Sequence, residues 1–343
     1  RFDRRRILVV VSVVQSVAAL GLLLVGKDTI WLAFLAQSTV SALAAVVGPA
    51  TEASIPNIAR DNDELAAANS LLGSTWGVML AVGAAVGGVF ASAFGRDAAF
   101  IANGVSFALA AILFSRIKTP MQKDRNVETQ RQRIRPIADM REALTHSRKD
   151  PVLMALIFSK TTFAIGAGVV SQLAVLASDV FNGGDAARGL LIGVRGVGTG
   201  LGPLIAMRYT RGQLSKVLTI CGFASLAFSG FYFIGAWMPT LWLTAIFVML
   251  AHLGGGAQWT LSSYGLQLRS PDHIRGRILA GDFALVTLML SLTSALAGLV
   301  SEYFGVRQAI SGFACAAAIA SVIYIRATKR LRTQLLIQLD AEP

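Results

Sequence analysis

Ten runs of mostly apolar residues divide this chain, and each is long enough to cross a lipid bilayer as a helix. Spanning the hydrocarbon core takes about 20 residues. Only 15% of the residues are charged, against about 25% in soluble domains. The runs lack the alternation of membrane strands, and helices satisfy their own backbone in lipid. We therefore predict an all-α integral membrane protein with spans at about 7–26, 30–50, 70–94, 97–115, 152–178, 187–207, 214–235, 240–265, 279–300 and 306–325.

The positions of the Lys and Arg residues predict the topology of these spans. If residue 1 is cytoplasmic and the loops alternate, 25 of the 31 basic residues lie on the cytoplasmic side, 4 on the outer side and 2 within spans. Cytoplasmic loops carry such an excess, so we predict a plasma (inner) membrane location with both termini cytoplasmic. The longest polar stretch, 116–151, is predicted to be a cytoplasmic linker with a short helix near 137–144.

Several classes of function are not indicated by the residues present. The basic residues lie between the spans, so the net charge of +12 does not indicate nucleic-acid binding. Both cysteines lie inside apolar runs and the three histidines are scattered, so no metal site or cofactor is predicted. Paired carboxylates and a Ser/His/Asp set are missing, so we predict that the chain is not an enzyme. The glycine run GVRGVGTGLGP lacks the spacing of a nucleotide-binding loop and no strand precedes it.

A weak internal repeat indicates two related halves. The pattern G-x5-F-G-x3-A occurs twice, 210 residues apart. Its positions are Gly88, Phe94, Gly95 and Ala99 in the first copy and Gly298, Phe304, Gly305 and Ala309 in the second. Such repeats are common in transporter folds. At this offset the fifth and sixth spans have no counterpart, so we expect two further helices before residue 1, in a parent of two six-helix bundles.

Four segments resemble sequences of the major facilitator superfamily. The opening RFDRRR is similar to the end of its motif G-x-x-x-D-R-x-G-R-[RK], with Asp3 where Gly is preferred. GAAVGGVF, at 83–90, is similar to the exporter signature G-P-x-x-G-G, with Ala84 in place of proline. IPNIARDNDELAAANSL and QLRSPDHIRGRILA resemble the macrolide-efflux and enterobactin-exporter branch.

The resemblance implies a major facilitator type two-bundle helical fold with ten of twelve transmembrane helices present. On this basis the predicted domains are the remainder of the N-terminal bundle, the linker, the C-terminal six-helix bundle and a cytoplasmic tail, at 1–115, 116–151, 152–325 and 326–343. The resemblance also implies a cytoplasmic gate, in which the opening charges latch against the ninth span. We expect Arg4 or Arg5 to pair with an acidic group near Asp282, and Asp3 to face a helix N-terminus. The alternative is that these charges only set the topology.

The resemblance also suggests a cavity for substrate. The candidate substrate-binding residues are Gln37, Lys160, Arg195, Gln258 and Trp259. Lys160 and Arg195 each lie about 12 Å inside a span, where a charge costs about 2.5–3.5 kcal/mol and usually faces a cavity or a partner. Snorkelling of Lys160 to the interface and hydrogen bonding between helices are the alternatives. The glycines expected to pack helices closely are Gly83, Gly87, Gly88, Gly196 and Gly200.

From these expectations we predict that the protein is a secondary active transporter that works by alternating access. The predicted activity is proton-coupled efflux of an amphipathic small organic compound, drug-like or siderophore-like, by a monomer in the lipid bilayer. Its expected partners are that compound and protons as the coupling ion, and the proton coupling is implied by the resemblance alone. The alternative is a non-transporting truncated remnant or an interaction scaffold.

Overall fold

The computed structural model describes residues 3–121, 136–210 and 212–340. Short connections join its helices. These are α1 (Arg4–Gly21), α2 (Trp31–Ile58), α3 (Asn62–Phe94), α4 (Arg96–Arg116), α5 (Pro136–Lys149), α6 (Pro151–Ala167), α7 (Leu173–Val175), α8 (Gly184–Thr210), α9 (Leu214–Ala236), α10 (Leu241–Arg269), α11 (Asp272–Phe304), α12 (Val306–Ala327) and α13 (Lys329–Asp340). Among the described residues, ten helical segments are long and apolar enough to cross a membrane, which confirms the predicted all-α membrane fold.

Polar residues define where several of these helices begin. The Asp3 carboxylate accepts hydrogen bonds from the backbone N–H groups of Arg5 and Arg6 at the start of α1, at 2.9 and 3.3 Å. Asp150 does the same for α6, whose first residue is Pro151. Such caps satisfy donors that have no partner within the helix, and proline tolerates the first position because its missing N–H would be unpaired there.

The internal repeat is visible in the backbone. The helices that begin at residues 4, 31, 62 and 96 recur at 214, 241, 272 and 306, always 210 residues later. The matched glycines Gly95 and Gly305 join consecutive helices with φ of 85° and 89°. Residues with a β-carbon rarely adopt this conformation, so the glycine of the repeated pattern is required by the same turn in both copies.

The fifth span is irregular. Pro151–Val180 starts as α6, tightens into a 3₁₀ segment at Gly168–Gln172 and ends in a π turn at Leu176–Val180. Thr293 of α11 packs at this break, with its hydroxyl 3.0 Å from the Ala164 carbonyl oxygen. A β-carbon at Gly168 would clash with the Thr293 backbone. Interrupted helices of this kind are frequent at functional sites.

The chain forms two compact units. One comprises Arg1–Arg60, Ala84–Arg141 and Pro271–Phe283, and the other comprises Asp61–Gly83, Glu142–Ser270 and Ala284–Pro343. In the first unit, α1 is held to α4 by the Ser16 hydroxyl, which donates to the Gly104 carbonyl at 2.7 Å. In the second unit, a buried apolar core lies between α8, α9, α10 and α12, with Phe228 and Leu191 nearly inaccessible.

Three predictions about organisation have different outcomes. The short linker helix predicted near 137–144 lies within α5, while linker residues 122–135 lie outside the described residues. The predicted division into bundles stays a prediction, since α3 and α11 contribute to both compact units. Nothing in the structure confirms the expectation of two further helices before residue 1, which also stays a prediction.

Candidate functional site

A buried polar cluster joins α6 and α10 in the second unit. Lys160 is only 3% exposed, and its Nζ donates to the Ser263 hydroxyl at 2.8 Å. The same Nζ lies 5.1 Å from the centroid of the Trp259 ring, within the range of a cation–π interaction. Because Trp259 is partly exposed while Lys160 is buried, the indole is the part of this cluster that a bound compound would reach first.

Gln258, next to Trp259 in the sequence, faces the helix–helix contact. It is fully buried, and its Nε2 donates to the Ser159 carbonyl and, at 3.1 Å, to the Thr162 hydroxyl. Its Oε1 is buried without a partner among the described residues. Gln258 therefore holds α6 against α10, and its part in substrate binding stays a prediction.

Arg195 belongs to a different cluster, formed by α8, α9 and α10. The Tyr232 hydroxyl and His252 Nε2 are 2.8 Å apart, and His252 Nδ1 lies 3.4 Å from the Thr199 hydroxyl. Arg195 interacts electrostatically with both Tyr232 and His252. Sequence reasoning missed these two residues. The available signal was the spacing of His252 and Trp259, which lie seven residues apart and therefore on one face of α10.

The remaining substrate-binding candidate, Gln37, lies in the first unit. Its side chain is exposed, with Nε2 3.4 Å from the Ser41 hydroxyl of the same helix, α2. The structure thus brings Lys160, Gln258 and Trp259 together, places Arg195 in a neighbouring cluster, and gives Gln37 no described contact outside α2.

The glycine run of α8 packs on two faces, as its spacing predicts. Gly196 and Gly200 contact α3, where a β-carbon at Gly77 would lie 2.6 Å from the Gly196 carbonyl oxygen. The Ser74 hydroxyl donates to the Gly200 carbonyl at 2.9 Å across the same contact. The backbones therefore approach more closely than any larger residue would permit.

The second face of the run contacts α10. A β-carbon at Gly198 would lie 3.0 Å from the β-carbon of His252, and one at Gly202 would lie 2.8 Å from the Ala257 backbone nitrogen. Gly196 and Gly200 thus lie against α3, and Gly198 and Gly202 lie against α10.

Two glycines of the exporter-like motif in α3 show no close packing in the part of the chain that the structure describes. A β-carbon placed at Gly83 or Gly87 would meet no atom of the described residues within 4 Å, so their packing role stays a prediction. The third, Gly88, lies outside the residues whose surroundings are described. The packing glycines of α3 are Gly73 and Gly77, which the motif did not indicate.

A second polar cluster surrounds Arg4 in the first unit, and we call it the Arg4 cluster. The guanidinium of Arg4 lies 2.8 Å from the Ala53 carbonyl oxygen, 2.9 Å from that of Met121 and 3.1 Å from Asp272 Oδ1. Asn57 donates to the same Asp272 oxygen at 2.7 Å, and Arg275 approaches it at 3.0 Å. One carboxylate at the start of α11 thus ties together α1 and α2, and Arg4 and Asn57 in turn hold the Met121 carbonyl at the beginning of the linker.

The expected gate residues occupy different places in this arrangement. Arg4 pairs with Asp272 rather than with Asp282, because Asp282 lies ten residues, about 15 Å, further along α11. Arg5 instead donates to the Ser115 carbonyl of α4. Asp3 faces the N-terminus of its own helix, α1. The acidic partner of the opening arginines is therefore present at the start of α11, but three turns earlier than the sequence suggested.

Comparison with known proteins agrees with this architecture. Residues 1–338 match the family described as transmembrane secretion effector. BacE of Bacillus amyloliquefaciens, described as a candidate bacilysin exporter, is 25% identical over 306 residues, which are 88% of this chain and 74% of that protein.

Solved structures show the same fold at low sequence identity. The human organic anion transporter MFSD10 superposes with a TM-score of 0.76 at 12% identity, over 94% of this chain and 77% of that one. The E. coli fucose:proton symporter FucP gives a TM-score of 0.65 at 12% identity, over 96% and 84%. The match over nearly the whole chain shows that this protein belongs to the transmembrane secretion effector family of major facilitator superfamily transporters.

Proposed function

We propose that this chain exports an amphipathic small organic compound, drug-like or siderophore-like, from the cytoplasm in exchange for protons. The observation that carries the proposal is the partly exposed Trp259 ring beside the buried ammonium of Lys160, inside a lipid-embedded helical unit. Charged and polar groups are costly in membrane spans and usually mark a substrate or ion pathway. The indole offers a flat apolar face on which an amphipathic molecule stacks.

Each residue of this cluster has a distinct proposed task. Trp259 stacks on the compound, Lys160 supplies a positive field beside the ring, and Gln258 positions both by fixing α6 to α10. The export direction is supported by the BacE relatives, whose name describes an exporter. The exchange with protons is carried over from the superfamily resemblance, as are the exporter branch and the monomeric state.

The Arg4 cluster is proposed to act as the cytoplasmic gate. The Asp272 carboxylate accepts hydrogen bonds from Arg4, Asn57 and Arg275. These contacts hold neighbouring ends of α1, α2 and α11 together. Alternating access requires such contacts to break and re-form in each cycle. The cytoplasmic position of this end, and a plasma membrane location, follow from the distribution of basic residues.

Transport into reconstituted vesicles tests this function. Proteoliposomes with an acidic lumen are expected to accumulate dyes from a panel of fluorescent amphipathic compounds, and a protonophore is expected to abolish the accumulation. Trp259→Ala should raise the half-saturating dye concentration about 5–10-fold, since an aromatic and cation–π contact is worth about 1–1.5 kcal/mol. Trp259→Phe should retain most of the affinity.

The matched control is Trp242→Ala, at an exposed position on the same helix, α10. It should leave dye accumulation unchanged. Equal losses in the Trp242 and Trp259 variants would contradict the proposed site, and accumulation that survives the protonophore would contradict the exchange with protons.

A further inference from the structure

Arg195 carries a positive charge deep inside a membrane span. It lies nine residues, about 14 Å, from the first residue of the span Ala186–Thr210. Arginine stays protonated in proteins, so burial does not remove this charge. Intramembrane charges of this kind nearly always face a partner or a cavity.

The described surroundings of Arg195 contain no counter-charge. Helices α6, α9, α10 and α12 contain no Asp or Glu. Asp185 lies ten residues, about 15 Å, from Arg195 along α8. The acidic residues of α3 lie in its first turn, about 20 Å from Gly77 at the contact with Gly196. The electrostatic neighbours of Arg195 are Tyr232 and His252, neither of which is an anion at neutral pH. The Arg195 Nε–H is buried and has no hydrogen-bond acceptor among the described residues.

The neighbouring polar groups are already engaged with one another. One ring nitrogen of His252 is bonded to the Tyr232 hydroxyl and the other lies 3.4 Å from the Thr199 hydroxyl. His252 and Tyr232 are each 2% exposed, whereas Arg195 is partly exposed. Arg195, unlike His252 and Tyr232, therefore keeps some exposed surface, and its Nε–H is a donor without an acceptor among the described residues.

We propose that Arg195 binds the carboxylate of the transported compound, which makes the substrate class an amphipathic organic acid. The proposal rests on the export function proposed above. A guanidinium presents a planar fork of donors that matches a carboxylate in bidentate geometry, and its buried Nε–H would then gain the acceptor that it lacks. His252, beside Arg195, and Trp259 lie seven residues apart on one face of α10, about 10 Å along its axis. An acid with an apolar group about 10 Å from its carboxylate would reach both.

Matched pairs of acids and amides test this assignment. The purified full chain in detergent is titrated with 6-(2-naphthyl)hexanoate, 8-phenyloctanoate and decanoate, and with the amide of each acid, while the melting temperature is recorded. The same compounds compete with dye accumulation in proteoliposomes. For at least one pair, the acid is expected to bind about 10–100-fold more tightly than its amide, as for a hydrogen-bonded pair with a charged group.

Variants at Arg195 distinguish a contact between its guanidinium and the carboxylate from a loss of affinity for every ligand. Arg195→Gln should bring the affinity for the acid down to that for the amide and leave the amide unchanged. Arg195→Lys should retain part of the preference, because it keeps the charge without the fork. The control is Arg188→Gln, at an exposed position on α8, which should keep the preference in full.

The acid–amide comparison in the unaltered chain decides the proposal even if the Arg195 variants fold poorly. Amides that bind as tightly as their acids in every pair, or no shift with any acid, would overturn it. So would an equal loss of both affinities in Arg195→Gln. Dye transport without a preference for acids would refute this inference and leave the export function standing, whereas binding without any transport would refute the export function alone.

Discussion

At the scale of single residues, Asp272 is the clearest case of a poorly exposed charge that is paired with opposite charges. Its carboxylate lies against two arginines, Arg4 and Arg275, with side chains of all three no more than 11% exposed. A poorly exposed carboxylate between two cations contributes more to the free energy of unfolding than an exposed ion pair does. Its removal leaves uncompensated positive charge away from water. The exposure of the two side chains therefore decides how much an ion pair contributes to the stability of this protein.

The first prediction concerns this carboxylate. Asp272→Asn should lower the free energy of unfolding in detergent by about 3 kcal/mol, since it leaves two poorly exposed cations without a counter-charge. Thermal and denaturant unfolding of the purified variant measures the change. The matched control is Asp97→Asn, which removes an ion pair with Arg96 whose side chains are 64% and 66% exposed, and which should cost less than about 1 kcal/mol. Similar losses in both variants would show that the Arg4 cluster contributes little.

At this scale, sequence reasoning identified the charged residues but not their partners. Arg4 and the start of α11 were both recognised, yet the partner is Asp272 and not Asp282. Residues ten positions apart on a helix look equivalent in a sequence, while their depths differ by about 15 Å. Sequence reasoning missed Asn57. Its neighbours in the sequence do not show that its amide donates to residues as distant along the chain as Met121 and Asp272.

At the scale of whole helices, close packing is the main feature, and the contact between α3 and α8 is one example of it. Gly77→Ala should lower the free energy of unfolding by about 1–3 kcal/mol, because a β-carbon there would meet the backbone of Gly196 and Gly200. Thermal unfolding in detergent measures the effect. Gly83→Ala, on the same helix but with open space around it, should be neutral or stabilising by up to about 1 kcal/mol. A neutral Gly77→Ala would mean that the two helices separate at little cost.

The turns between consecutive helices give a prediction of their own. Gly95→Ala and Gly305→Ala should each cost about 1–3 kcal/mol, because both glycines have positive φ with extended ψ, a conformation nearly restricted to glycine. A β-carbon at Gly95 would meet no atom of the described residues within 4 Å, so its cost would come from the backbone conformation. Gly298→Ala, in α11 with open space around it, serves as the control and should not destabilise. Unfolding by denaturant in mixed micelles would compare the three variants, and a harmless Gly95→Ala would refute the backbone argument.

The topology of the whole molecule is open to a direct test. In a background with Cys221→Ala and Cys315→Ala, cysteines at the exposed positions Lys27 and Arg188 should react with a membrane-impermeant maleimide in intact cells. Cysteines in place of Lys149 and Arg330, also exposed, should react only after permeabilisation. The expectation follows from the 25 to 4 distribution of basic residues between the two sides. Labelling of the Lys149 position from outside would invert the predicted orientation and remove the basis of the cytoplasmic gate.

The sequence by itself determined the membrane class, the ten spans, the repeat and the packing faces of the α8 glycines. Apolar length, charge placement and residue size are properties of a segment alone, because the bilayer imposes the same thickness and sidedness on every helix. Only the tertiary structure decided that Lys160 and Arg195 belong to separate clusters and that His252 and Tyr232 accompany Arg195. It also decided that Gly83 and Gly87 have no close neighbour among the described residues. These outcomes depend on how each helix is rotated and how deep it sits against its neighbours, and that is set by packing among many residues at once.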